Sequence, residues 1–186
     1  MNKFKSFLRM GVFVLALTIL VFPTNIFANT QSIGESYYEV EKIGEVVTKY
    51  ITVNEDQIFF DEEKAKENNE NEEVIELGHL LKSVSDSYSI GVEESPTHMS
   101  AIGLPIWGNY CGPGYGGKNS TKPAKDVLDE GCRRHDNCYK WGRNNCNCNR
   151  ELVRYIDEHK SEMSGNMARV AWAIRTYFNT IGSIGC

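Results

Sequence analysis

The chain has 186 residues, with 20 Lys and Arg, 25 Asp and Glu, and a net charge of −5 at pH 7. This length suits one domain of ordinary core size, with room for an appendage. A composition with 24% charged and 11% aromatic residues excludes a disordered polyampholyte, a membrane bundle, a collagen and a coiled coil. The charge balance argues against a dedicated nucleic-acid-binding protein, so we expect no nucleic-acid partner.

The N-terminus, residues 1–28, has the pattern of an export signal. Lys3, Lys5 and Arg9 form a positive segment, residues 10–22 are apolar, and a small residue, alanine, stands at position 28 where cleavage would occur. A retained membrane anchor is the alternative, but this apolar run is shorter than the roughly 20 residues that a bilayer requires. We therefore predict a secreted protein.

Charge divides the rest of the chain into two regions. Residues 29–100 hold 17 acidic residues and five lysines, for a net charge of −12, whereas residues 101–186 have a net charge of +4 and all six cysteines. We place the boundary near the turn signal at Ser95 and Pro96. The first region, the acidic region, is either a pro-segment that restrains the second, basic region, or a poorly structured spacer.

The acidic region is predicted to be α+β or partly disordered. Short apolar patches at 46–47, 50–51 and 58–60 favour strands. Residues 62–73 are nearly all charged or Asn, and we expect a solvated linker or an exposed helix there. Apolar residues at helical spacing follow at Val74, Leu77, Leu80, Leu81 and Val84.

The basic region opens with a glycine-rich loop at residues 109–117. It formally contains G-x-G-x-x-G at Gly112, Gly114 and Gly117, but no apolar strand leads into it and no helix opens at its end, which excludes a dinucleotide site. A Pro-Gly turn allows such a loop to aim several backbone carbonyls at one point. Neutral oxygens arranged in this way suit a hard cation such as calcium.

Three helices are predicted after the loop. The first has Asp126 as its N-cap and runs from residue 127 to about residue 141, the second begins at 147–149, and the third spans 167 to about 181.

The first of these helices contains two adjacent residues, His135 and Asp136, whose side chains are suited to proton transfer or to metal binding. Neighbouring residues on a helix point about 100° apart, so these two side chains should have separate roles. Cys132 lies one turn before Asp136. If Cys132 bonds to Cys111, the loop is fastened beside the carboxylate, which completes an oxygen cage. A merely structural His-Asp pair is the alternative.

These residues together resemble the secreted phospholipases A2, and more closely the short bacterial form of that domain. The matching segments are Tyr-Cys-Gly-Pro-Gly at 110–114, Cys-x-x-His-Asp-x-Cys-Tyr at 132–139 and Cys-x-Cys-Asn-Arg at 146–150. The resemblance covers about 105–186 and leaves the acidic region unaccounted for. It implies a mainly α fold in which disulfide-linked helices hold a calcium loop.

The resemblance also implies an activity, the calcium-dependent hydrolysis of the sn-2 ester of glycerophospholipids at a membrane surface. Calcium would bind the Asp136 carboxylate and the backbone carbonyls of Tyr110, Gly112 and Gly114. His135 would take a proton from the attacking water, and calcium and the Gly112 N–H would stabilise the oxyanion. No oligomeric state is predicted.

Asn149 departs from the family pattern, which has an aspartate at this position to orient the histidine and balance its charge. An amide oxygen can accept the imidazole N–H bond but carries no charge. We therefore expect slower catalysis, with a calcium-dependent phospholipid-binding module as the alternative function. Replacing Asn149 by aspartate is expected to raise turnover.

Six cysteines in an exported chain predict three disulfides. The expected pairs are Cys111–Cys132 and Cys138–Cys148, which leaves Cys146 and Cys186 to form the third. The second bond would clamp two helices together and bring residue 149 toward His135. Zinc binding by the cysteines and His135 is the alternative.

Overall fold

The computed structural model describes residues 35–54, 57–93, 105–116, 121–140, 145–184 and 186. The predicted export signal, the predicted region boundary and Gly117 lie outside these residues. The described chain is mainly helical, with one two-stranded sheet and three disulfides. Within it, no helix is long and apolar enough to cross a membrane.

The described residues form six α-helices and one hairpin. The helices are α1 (Tyr37–Val47), α2 (Glu62–Glu67), α3 (Glu72–Glu93), α4 (Val127–Lys140), α5 (Asn145–Glu158) and α6 (Gly165–Thr180). Strands β1 (Ile51–Asn54) and β2 (Gln57–Phe60) pair antiparallel, with Ile51 opposite Phe60. Short 3-10 turns occupy Thr48–Tyr50, Lys160–Glu162 and Ile181–Ser183. The prediction of a mainly α fold is confirmed. The residues at helical spacing between positions 74 and 84 lie within α3.

The strand expected at residues 46–47 is wrong, because these residues belong to α1. A capping box begins that helix: the Glu39 N–H donates to Ser36 Oγ, and the Ser36 N–H donates to the Glu39 carboxylate at 2.7 Å. Val40 and Val47, seven residues apart, are both fully buried on one face. The capping box and the buried apolar face of α1 together outweigh the preference of two adjacent valines for a strand. The strand expected at 58–60 is confirmed.

One apolar core joins the acidic region to the basic region. The buried side chains of this core include Val40 and Val47 from α1, Leu77 and Leu81 from α3, and Ile174 from α6. Helices α1 and α3 both pack against α6. In the described residues, the acidic region is therefore a structured part of the fold, which argues against a spacer.

A glycine sets the close approach of α1 to α6. A Cβ atom at Gly44 would lie 2.2 Å from the Trp172 ring, so any larger residue would push the two helices apart. Burial of an aromatic ring is among the largest contributions that one side chain makes to a core.

Ion pairs also connect the two regions, as their opposite net charges suggested. Lys160 lies 2.7 Å from Glu41, and Arg169 lies 2.8 Å from Glu35 and 3.2 Å from Glu76. The Arg169 and Glu35 side chains are only 14% and 12% exposed, so solvent screens this pair less than a surface salt bridge. Charge complementarity thus contributes to holding the acidic region against α6.

Candidate active site

The N-terminus of α4 is built as the sequence predicted. Asp126 caps the helix, its carboxylate accepting the Asp129 N–H at 2.9 Å. The other carboxylate oxygen of Asp126 accepts the indole N–H of Trp107 at 2.8 Å. This cap sets where α4 begins, and hence which face presents His135 and Asp136.

Asp129 anchors the glycine-rich loop to α4. It is fully buried, and one of its oxygens accepts the backbone N–H groups of Asn109 and Tyr110 at 2.9 and 2.8 Å. The other oxygen accepts the Lys125 N–H at 2.8 Å. Gly108 has a φ of 61°, and a Cβ there would lie 2.2 Å from the Asp129 carboxyl carbon. The start of the loop therefore requires both a carboxylate and a glycine.

The disulfides join the cysteines in the predicted pairs: Cys111–Cys132, Cys138–Cys148 and Cys146–Cys186. The first fastens the loop to α4, the second joins α4 to α5, and the third ties residue 186 to the first turn of α5. No cysteine is free. This pairing excludes thiolate coordination of zinc.

His135 and Asn149 meet across α4 and α5. The His135 Nε2 atom lies 2.8 Å from Asn149 Oδ1, which also accepts the Tyr139 hydroxyl at 2.8 Å. Asn149 Nδ2 donates to the Gly182 carbonyl at 2.7 Å. A carbonyl only accepts, so the amide nitrogen must face Gly182 and the amide oxygen must face His135. The neutral imidazole therefore carries its hydrogen on Nε2 and leaves Nδ1 free of a proton.

The surroundings of His135 keep it uncharged at neutral pH. Burial lowers the pKa of His135 to about 4, and the hydrogen bond to Asn149 only partly opposes this effect. The rings of Tyr139 and Phe178 lie edge-on to the imidazole, with centroids 4.7 and 4.8 Å away. An uncharged imidazole has the protonation state of a general base, although a low pKa makes it a weak one.

Asp136 has the properties expected of a cation ligand. Its buried Oδ2 atom has no hydrogen-bond partner in the described part of the chain. Burial, with a smaller effect from the charge of Asp129, raises the pKa of Asp136 to about 8. An unpaired buried carboxylate is costly, and a bound cation would offset that cost. The chemistry at this position therefore fits calcium.

The glycines of the loop have the backbone conformations that such a loop needs. Gly112 and Gly114 have φ values of 139° and 65°, in a region that other residues rarely adopt. The Gly112 carbonyl accepts the Tyr115 N–H at 3.1 Å, which closes a turn. The described residues contain no group of three or more His, Cys, Asp or Glu side chains suited to a metal. A cation bound here would depend on backbone carbonyls together with the Asp136 carboxylate.

Tyr88 of α3 extends from the acidic region to this site. Its ring stacks on Tyr177, with centroids 4.8 Å apart, and lies edge-on to Phe178 at 5.0 Å. Burial and the nearby Asp136 carboxylate raise the pKa of Tyr88. Tyr88 thus packs against Phe178, whose ring also contacts His135.

Sequence reasoning did not single out Tyr88 or Asp129. Tyr88 lies four residues after Val84 and continues the apolar stripe of α3, which predicts burial but no role in a site. Asp129 lies three residues after Asp126, a position typical of helix capping. Both signals are local, whereas the partners of these side chains are distant in sequence.

Comparisons with protein-family models, with curated proteins and with solved structures found no match to this chain. The residues of the site are therefore the basis for inferring its function. They combine an uncharged imidazole with an unprotonated Nδ1, an amide that fixes its tautomer, and, one residue further along α4, a carboxylate whose buried Oδ2 has no hydrogen-bond partner among the described residues. This arrangement is suited to activating water beside a cation-bound substrate.

Proposed function

We propose that the protein is a secreted, calcium-dependent phospholipase A2 that hydrolyses the sn-2 ester of glycerophospholipids at a membrane surface. The observation that carries the proposal is the pairing of two groups on α4. His135 is held as an uncharged base, and the adjacent Asp136 has a buried carboxylate oxygen without a partner. The resemblance of the loop and helix motifs to this family supplies the substrate class.

His135 is the proposed general base. Its Nδ1 atom accepts a proton from water while Nε2–H remains bonded to Asn149 Oδ1. The resulting hydroxide attacks the sn-2 carbonyl carbon, and the tetrahedral product then releases the lysophospholipid alkoxide, which takes a proton from the imidazolium. Tyr139 also donates to Asn149 Oδ1, which restricts the rotation of that amide.

Calcium, held by Asp136 and the carbonyls of Tyr110, Gly112 and Gly114, would supply positive charge beside the ester oxygen. The Gly112 N–H is the proposed donor to the same oxygen as it becomes negative. The disulfide between Cys111 and Cys132 fastens the residue before this donor to the helix that carries His135. Three disulfides are also typical of a protein that folds in an oxidising compartment, which supports secretion.

The second candidate function is a calcium-dependent phospholipid-binding module with weak or no catalysis. Asn149 favours it, because an amide leaves the imidazolium without a balancing charge. The His135 pKa of about 4 favours it as well, because basicity limits the proton transfer. Both candidates predict calcium-dependent binding to vesicles, and only the first predicts release of fatty acid.

Fatty-acid release from mixed phospholipid vesicles, measured with calcium and with excess chelator, tests the proposal. We expect release with calcium only, and no release from the His135→Ala variant. That variant should still bind calcium, because Asp136 and the loop are unchanged. Equal hydrolysis in chelator would contradict the calcium site. Vesicle binding without any hydrolysis would favour the binding module.

A further inference from the structure

We propose that Gly182 is a positioning residue for His135 and acts through the side chain of Asn149. This inference rests on the proposed function, in which the unprotonated Nδ1 of His135 takes a proton from water. Under it, Asn149 and the Gly182 carbonyl form one unit. The carbonyl sets which end of the amide faces the imidazole, and the amide then sets which ring nitrogen carries the hydrogen.

Three groups bond to the Asn149 amide, and only one of them is restricted to a single role. His135 Nε2 lies 2.8 Å from Oδ1, and a nitrogen of a neutral imidazole either donates or accepts. The Tyr139 hydroxyl, also 2.8 Å from Oδ1, can do both. The Gly182 carbonyl, 2.7 Å from Nδ2, only accepts. Among the partners that the structure describes, this carbonyl alone therefore excludes a flipped amide.

A flipped amide would reverse the protonation of the proposed base. Asn149 Nδ2 would then donate to His135 Nε2 and to the Tyr139 hydroxyl, and the hydrogen of the neutral imidazole would move to Nδ1. That nitrogen could no longer take a proton from water. The two amide orientations differ by the hydrogen bond to the carbonyl. Losing this bond should therefore lower the ratio of the Nε2–H tautomer to the Nδ1–H tautomer by roughly 2- to 12-fold.

The chain holds the Gly182 carbonyl in place from both sides. Gly182 directly follows Ile181, which is buried in the apolar core. Beyond it, the disulfide between Cys146 and Cys186 ties residue 186 to the first turn of α5, just before Asn149. A covalent bond thus joins the segment that carries the carbonyl to the helix that carries the amide.

The absence of a side chain at position 182 permits this close approach. A Cβ atom there would lie 2.8 Å from Phe178 Cδ1 and 3.2 Å from Asn149 Nδ2. The first distance is shorter than carbon atoms normally pack, so the neighbouring groups would have to move. Gly182 has no positive φ, so the backbone accepts alanine and the added methyl group acts through these contacts. Gly182→Ala therefore moves the turn relative to two residues that contact His135.

NMR of protein with isotopically labelled histidine tests the inference, because the chemical shifts of the two ring nitrogens report which one is protonated. The spectra are recorded at about pH 8, where the imidazole is uncharged. The unmodified protein should show His135 as the Nε2–H tautomer. Gly182→Ala should lower the ratio of Nε2–H to Nδ1–H by about 2- to 12-fold. The kcat for phospholipid should fall in proportion to the population of the Nε2–H tautomer, and calcium affinity should stay the same.

Two controls distinguish this role from a general disturbance of the site. Ile184→Ala changes an exposed side chain two residues beyond Gly182 and should leave the tautomer unchanged. Asn149→Asp removes the amide that the carbonyl orients, and both carboxylate oxygens only accept, so His135 stays in the Nε2–H form. Adding Gly182→Ala to this variant should not alter the tautomer. Equal changes in both backgrounds would show that alanine acts by displacing Phe178, which would overturn the inference.

The remaining outcomes separate this inference from the proposed function. An Nδ1–H tautomer in the unmodified protein overturns the inference whether or not any variant folds. If Gly182→Ala does not fold, the variant in which Cys146 and Cys186 are both alanine takes its place, with the same expected change. If phospholipid is hydrolysed and the tautomer ratio does not change, the inference fails and the function stands. If the ratio falls but the unmodified protein releases no fatty acid, the proposed function fails and the effect of Gly182 on the imidazole stands.

Discussion

The Asn149→Asp variant tests two requirements at position 149 separately. It removes the amide that bonds to Gly182, and it adds a negative charge beside His135. One carboxylate oxygen could still accept from His135 Nε2 and the Tyr139 hydroxyl, as Asn149 Oδ1 does at 2.8 Å. The second oxygen would replace Asn149 Nδ2, which donates to the Gly182 carbonyl at 2.7 Å. Two oxygens without a hydrogen between them would then face each other.

The two effects of Asn149→Asp have opposite signs. Losing the donor to Gly182 leaves that carbonyl without its partner and costs about 1–3 kcal/mol of folding free energy, which lowers the Tm by about 2–12 °C. A negative charge next to His135 raises the imidazole pKa by about 1–3, from about 4 toward its usual range. Because general-base catalysis follows basicity, turnover near pH 7 should rise roughly tenfold.

Fatty-acid release at saturating calcium and thermal unfolding in the same buffer measure both effects. Asn147→Asp is the control, since it makes the same chemical change on an exposed part of α5, two residues away. The control should change neither the rate of fatty-acid release nor the Tm appreciably. NMR titration of His135 reports the pKa directly. A raised His135 pKa together with unchanged or lower turnover would refute the reasoning that charge at position 149 limits the rate.

Three further predictions concern the loop, the metal and the core. Burial raises the pKa of Asp136 to about 8, and calcium must displace this proton at lower pH. The increase in Tm that calcium produces should therefore grow from about pH 6 to about pH 8 and be lost in Asp136→Ala; an equal increase at both pH values would contradict this assignment. Asp129→Ala leaves three backbone N–H groups without their acceptor, and chemical denaturation should show a loss of about 3 kcal/mol or more. Residues 101–186 alone should unfold without a cooperative transition, because the α6 face that α1 and α3 bury is then exposed; calorimetry that shows a sharp transition would count against a shared core.

Sequence reasoning succeeded where the determining contacts are local. Asp126 caps α4, and the Cys111–Cys132 and Cys138–Cys148 pairs, 21 and 10 residues apart, follow from where these cysteines lie on the predicted helices. The Cys146–Cys186 pair, 40 residues apart, was predicted only because these two cysteines remained. Sequence reasoning failed at residues 46–47, where the capping box at Ser36 and the packing of Gly44 against Trp172 decide for a helix. The second of these contacts joins positions far apart in sequence, which no local window contains.

The positions of Tyr88 and Asp129 beside the site could not be predicted for the same reason. Tyr88 was recognisable only as one more apolar position on α3, and its contacts with Tyr177 and Phe178 depend on how α3 docks on α6. The presence of calcium and the phospholipid substrate remain predictions from motif resemblance and site chemistry.

Packing of α1 on α6 has a consequence for the order in which the protein can fold during synthesis. Pairs such as Lys160 with Glu41 and Arg169 with Glu35 join residues 119 and 134 positions apart. The ribosome therefore completes α1 and α3 long before α6 is available to cover their apolar faces. Until α6 follows, these helices expose surface that promotes aggregation. A chaperone that binds the acidic region would thus have a defined task, which ends when α6 packs on α1 and α3.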